Sequence, residues 1–197
     1  MTEYRLFFDD NIIKLEQERN WKEAVEILYT QWKINLHNIN SLLCLGTELW
    51  YMLLVEEYQR FNPNKNETYI FLDKNLSYER LMEVTRFAIN NFSENPVVNS
   101  YFGYMIKVMP YFFTDYNGDY DYWHYKGCHM IKYAYNLEPN NPFVRAMYYE
   151  LDSENEDLYR QSCSEFWDCI SLDDWGNSAV QKYFSGILLV DIFSSQD

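Results

Sequence analysis

Basic residues, glycine, proline and long apolar runs are all scarce in this 197-residue chain. It has 16 Lys and Arg against 30 Asp and Glu, a formal charge of -14. Phosphate contacts need cationic side chains that release counterions, so nucleic acid and anionic lipid are excluded as expected partners. Only 6 glycines and 5 prolines interrupt the chain, and β-type alternation is hard to find. The most apolar tracts, 42–55 and 186–193, are too short or too interrupted to supply the roughly 20 apolar residues of a membrane-spanning helix. Four scattered cysteines, Cys44, Cys128, Cys163 and Cys169, form no CxxC pair, and the first residues lack a basic start with an unbroken apolar stretch. The expectation is a soluble, cytosolic protein with free thiols. No Gly-rich phosphate loop, GxSxG elbow or HExxH helix is present, so no catalytic residue, cofactor or metal is expected.

What is abundant is acid and aromatic surface chemistry. The chain holds 19 tyrosines and 6 tryptophans, the side chains that most often anchor protein interfaces. From residue 101 onward, 15 acidic side chains face only 6 basic ones. Such a surface attracts a basic protein partner over long range and loses that attraction in salt.

Apolar residues recur at three- and four-residue spacing almost throughout, which predicts an all-α fold in one domain, 1–197. Helices are expected at 3–18, 21–35, 39–61, 78–91, 96–113, 120–136, 142–151, 154–170 and 178–193. Asn95-Pro96 and Asn141-Pro142 each place an N-cap before a proline at the first helical position. Ser77 and a Ser153–Glu156 capping box offer further starts, and Asn62-Pro63 ends the third helix.

A register repeats along these helices. Trp21, Ala24 and Leu28 lead into Leu42, Leu45-Gly46 and Leu49. The pattern returns in Leu81, Ala88, Asn95-Pro96, Phe102-Gly103 and Ile106, and again in Gly127, Ile131, Ala134 and Leu137-Glu138-Pro139-Asn140-Asn141. Over about 20–150 this resembles the tetratricopeptide repeat family, which implies irregular antiparallel hairpins stacked as a short solenoid. Ala24, Leu81 and Gly127 stand 57 and 46 residues apart, against about 34 in a regular array. The excess is expected in inserted loops at 62–76 and 114–119, and inserted loops often bind.

The segment 114–125 packs three carboxylates and five aromatics into twelve positions. Asn117-Gly118 should form a tight turn that lifts Asp115, Asp119 and Asp121 to its rim beside Tyr116 and Tyr120. Carboxylates beside tyrosines are suited to Lys or Arg. The alternative is a solvated loop whose aromatics fold back onto the core. Asp115, Asn117, Asp119 and Asp121 alternate as calcium ligands do, but Tyr120 stands where the sharp turn wants Gly and Lys126 where a closing Glu belongs. His124 and Cys128 share a helix face without the rest of a zinc site. A second acidic group contains Asp173 and Asp174 with Trp175. The aromatic positions Phe7, Phe8, Trp21, Trp32 and Trp50 fall at core spacing.

An acidic, irregular helical protein without a catalytic signature resembles in type the bacterial immunity proteins of toxin delivery systems, including contact-dependent growth inhibition. That resemblance implies stoichiometric neutralisation of a cognate basic toxin, a nuclease domain, and the acidic and aromatic segments of this chain offer Asp115, Tyr116, Asp119, Tyr120, Asp121, Asp173, Asp174 and Trp175 as the expected contact residues. No immunity-specific motif is present, so the resemblance itself assigns no residue. The alternative is a helical-repeat scaffold that holds a peptide or helix in its groove.

Overall fold

A computed structural model describes residues 4–61, 73–114, 119–151 and 153–189. Among them there are helices and turns and no strand. The order is α1 (Asp10–Gln17), α2 (Trp21–Ile34), α3 (Ile39–Phe61), α4 (Lys74–Asn91), α5 (Pro96–Val108), α6 (Tyr120–Leu137), α7 (Pro142–Tyr149), α8 (Glu156–Cys169), α9 (Leu172–Trp175) and α10 (Ala179–Leu188). Short 3-10 turns at Pro110–Phe113 and Ser153–Asn155 link α5 to α6 and α7 to α8.

Local chemistry sets most of these ends. Asn95 and Asn141 cap α5 and α7, their side-chain oxygens taking amides of the first turn as expected for Asn-Pro starts. The expected single helix 96–113 is broken instead: α5 stops at Val108, because Pro110 has no N–H to continue it. Residues 74–76, expected in a loop, are helical because Asp73 caps α4, accepting from Asn75 and Leu76. Ser77 then lies inside the helix and bonds back to the Asp73 carbonyl. The expected box at Ser153 is replaced by a 3-10 turn, and Asn155 precedes α8 without a side-chain cap. A complete capping box stands at Ser178 and Gln181.

The largest departure is at the start of the chain. Residues 4–9, expected in a helix over 3–18, run as a non-helical strap, and α1 begins only after the Asp9 cap. Long-range partners take over the backbone bonds a helix would have made: Tyr101 Oη donates to the Tyr4 carbonyl at 2.7 Å, Gln181 Nε2 to Leu6 O at 2.7 Å, and the Asn40 amide pairs with both Phe7 N and Phe7 O. Tyr4 and Leu6 are buried, while Phe7, expected in the core, is exposed under the Arg5 guanidinium.

Two glycines decide how α5 and α6 meet. A Cβ on Gly127 would stand 2.5 Å from Lys107 N and 2.7 Å from Gly103 O, and one on Gly103 would stand 3.0 Å from Gly127 O. The helices therefore touch backbone to backbone. On the other side of α5, Trp50 of α3 donates from Nε1 to the Met105 carbonyl at 3.1 Å. α10 covers this face of α3 and α5: Tyr183 meets the Trp50 ring at 5.4 Å and Phe184 the Tyr101 ring at 5.0 Å. Strap and α10 together close the aromatic core, which contains Trp32, Trp50, Tyr101, Phe143 and Phe184.

Candidate functional site

α6 begins where Asp119 turns its carboxylate onto the Asp121 amide at 2.9 Å. Its inner face, Gly127, Met130, Ile131 and Ala134, is buried. That leaves Tyr120, Tyr122 and Tyr125 outside, 52, 58 and 73 % exposed, with Asp119 and Asp121 exposed beside them. Trp123 turns inward onto Phe113 at 5.8 Å, so the segment divides its aromatics between core and surface. Tyr120 stacks flat on His124, whose Nδ1 lies 3.3 Å from the Lys107 carbonyl. The first two turns of α6 thus carry exposed tyrosines near exposed carboxylates, with Tyr120 stacked on His124 and Tyr122 and Tyr125 on the side opposite Gly127. Aromatic area beside acid is the chemistry that receives Lys or Arg.

Of the residues expected at this site, Asp119, Tyr120 and Asp121 lie exposed together at the start of α6. Asp115 and Tyr116, with the Asn117-Gly118 turn, lie outside the described residues, as does the 62–72 part of the other expected insertion. Tyr122 and Tyr125 were not singled out from sequence as contacts. Their signal was three-residue spacing opposite the buried Gly127 and Ile131 face.

The second acidic group is elsewhere. Asp174 is exposed, accepts from Ser171 Oγ at 2.6 Å, and lines a groove of about 1020 Å³ with Arg5, Glu138 and Phe166. That groove lies at the C-terminal end of α6, a helix of 18 residues, so roughly 27 Å of helix separates it from Asp119. The two groups do not form one site. Asp173 lies beside it in α9, with its side chain outside the described residues. Trp175 requires correction: it is 1 % exposed, edge-on to Phe166 and Trp167, and its indole N–H donates to the Gln181 carbonyl at 2.7 Å. An indole with its ring packed and its N–H satisfied is a core residue, and it has no surface to offer a partner.

Cys128 Sγ lies 3.8 Å from His124 Nε2. Burial pushes its thiol up, with Lys107 opposing, so the pair carries no sign of an activated thiolate. Among the described residues no three His, Cys, Asp or Glu side chains converge as metal ligands. No described helix is long and apolar enough to cross a membrane.

A separate polar feature escaped the sequence reading. Glu48 sits in the most apolar stretch of α3, is 0 % exposed, and neither of its carboxyl oxygens meets a donor. Glu16 of α1 is buried beside it and takes the Ala179 amide at 2.6 Å. Burial, and then the charge of Glu16, holds the Glu48 carboxyl well above the usual carboxylate range. Burial also raises Glu16, opposed by the Ala179 amide, the Glu48 proton and Lys182. A carboxylic acid in an apolar α3 register was the available signal.

Set against known proteins, the chain matches no family model, no curated protein and no solved structure.

Proposed function

We propose that this chain is an immunity protein: in the bacterial cytoplasm it binds a cognate, basic toxin nuclease domain and blocks its active site. The observation that carries the reading is the start of α6, where Tyr120, Tyr122 and Tyr125 are exposed close in sequence to exposed Asp119 and Asp121. Tyrosines supply contact area at low entropic cost, and the carboxylates occupy the positions a nuclease reserves for phosphates. Inhibition then needs no chemistry from this chain. The charge of -14 adds long-range attraction for a cationic domain.

The pairs α3 with α4, α5 with α6, and α7 with α8 are read as three hairpins of a short solenoid in tetratricopeptide-like register. The Gly103 to Gly127 approach supports that register, since close backbone contact is what its small positions are for. In this reading α3, α5 and α7 would line the groove that a peptide scaffold uses. α10 and the strap already cover the aromatic face of α3 and α5. The outer face of α6 is therefore preferred over a peptide groove.

Co-purification from the native host with mass spectrometry is the direct test, and a basic, toxic domain recovered at one-to-one stoichiometry is the expected result. Recovery of assorted proteins or a short peptide would move the assignment to a scaffold. With the partner in hand, Asp119→Lys combined with Asp121→Lys should slow association and weaken binding by about 10- to 100-fold at low salt. The effect should shrink as salt rises. Binding that is unchanged by both reversals would sink this face as the contact surface.

A further inference from the structure

Three elements far apart in sequence meet at the Glu16 and Glu48 carboxyls. Glu16 comes from α1, Glu48 from α3, and the amide that Glu16 accepts is the first of α10, 163 residues away. The groups that face the pair are few. From α10 come the Ala179 N–H and the Lys182 ammonium; from α3 come Tyr51 and Cys44; Tyr183 of α10 packs on Tyr51 at 5.8 Å. From α2 the Trp21 ring stands 6.3 Å from Tyr51, bringing no charge. One negative charge on Glu16 is thus supported by an amide and an ammonium. A second charge, on Glu48, has no donor to meet.

We propose that Glu16 and Glu48 form a proton-held latch: while they share one proton they fasten α1 and the start of α10 onto α3, and loss of that proton releases both. Two adjacent carboxylates in an apolar site cannot both stay ionised without moving apart or admitting water. Of the elements that meet there, α10 is the one whose first amide Glu16 holds. Its departure uncovers Trp50 and Tyr104, whose rings it now covers through Tyr183 and Phe184. The latch makes exposure of this aromatic face dependent on pH, independently of which partner α6 binds.

The direction follows from linkage. Burial raises the Glu48 carboxyl in the folded protein above its unfolded value of 4.5, so the folded state holds the extra proton. Its stabilising contribution is complete below that unfolded value and is lost as pH rises towards the folded one. Alkaline opening is therefore expected, not acid opening.

Hydrogen exchange of the full chain, followed by mass spectrometry from about pH 5.5 to about pH 8.5 and corrected for the intrinsic exchange rate, tests this. Peptides from α1 and α10 should lose about tenfold or more of their protection as pH rises, while peptides across the Gly103 to Gly127 contact keep theirs. In Glu48→Gln an amide donates to Glu16 without any titrating proton, so the α10 dependence should flatten. Equal pH dependence in wild type and Glu48→Gln would overturn the latch. If that variant does not fold, carbon NMR of the wild-type Glu48 carboxyl decides: titration above the ordinary carboxylate range supports the latch, and titration at the ordinary value overturns it.

Discussion

Gln181→Ala should lower the stability of this protein by about 3 to 5 kcal/mol, read as a fall in thermal midpoint on the order of 10 °C. One side chain ties three parts of the molecule together. Its Nε2 donates to Leu6 O and to Trp175 O, each at 2.7 Å, and its Oε1 accepts from Ser178 N at 2.9 Å. All three bonds are buried. Alanine leaves two carbonyls and an amide without partners in the interior, and each orphaned group costs about 1 to 3 kcal/mol. The strap loses a clamp at Leu6 and the turn before α10 loses its box. That turn is already special: Gly176 has φ of 110°, a conformation few side chains adopt, and it brings Trp175 over Gln181. Gln161→Ala is the matched control. Its amide makes an exposed bond to Glu165 at 2.8 Å, so the change should stay within about 0.5 kcal/mol. A Gln181→Ala protein melting within a degree or two of wild type would mean that the strap is not held through this residue.

Gly127→Ala should be the second severe change, costing about 2 to 4 kcal/mol. In an exposed helix the same change stabilises by about 1 kcal/mol, since alanine is the better helix former. Here the new Cβ would stand 2.5 Å from Lys107 N and 2.7 Å from Gly103 O. These are backbone atoms of α5 and cannot rotate away, so the helices must separate. Separation would also strain the Lys107–Glu150 ion pair, at 2.5 Å, and the contact between His124 and the Lys107 carbonyl. Gly186 provides the internal contrast, with nothing within 4 Å of its added Cβ. Gly186→Ala should raise stability by about 0.5 to 1 kcal/mol. Paired thermal melts measure both, and a Gly127→Ala variant that gains stability as Gly186→Ala does would rule out the close crossing.

The sequence made the helices legible because their signals are local. Asn95-Pro96 and Asn141-Pro142 carry their caps within three residues, whereas the register that contains Gly103 and Gly127 did not say which backbone each would meet. The exposed α6 tyrosines were half legible. Tyr120 stood out beside its aspartates, whereas Tyr122 and Tyr125 required knowing that Gly127 and Ile131 face inward. Trp175 misled for the complementary reason: acidic neighbours suggested a surface, but its ring fills space between α8 and the turn before α10.

By itself the sequence determined the all-helical class, the acid excess and the two Asn-Pro caps, because each depends on neighbours a few positions away or on composition alone. Tertiary structure alone decided that residues 4–9 run as a strap, that Trp175 is core, and that Glu16 and Glu48 meet. Those outcomes rest on partners such as Gln181 for Leu6 and Ala179 for Glu16, separated by 175 and 163 residues. A buried carbonyl or carboxyl takes whichever donor packing brings to it, and helical periodicity carries no record of which distant donor that will be.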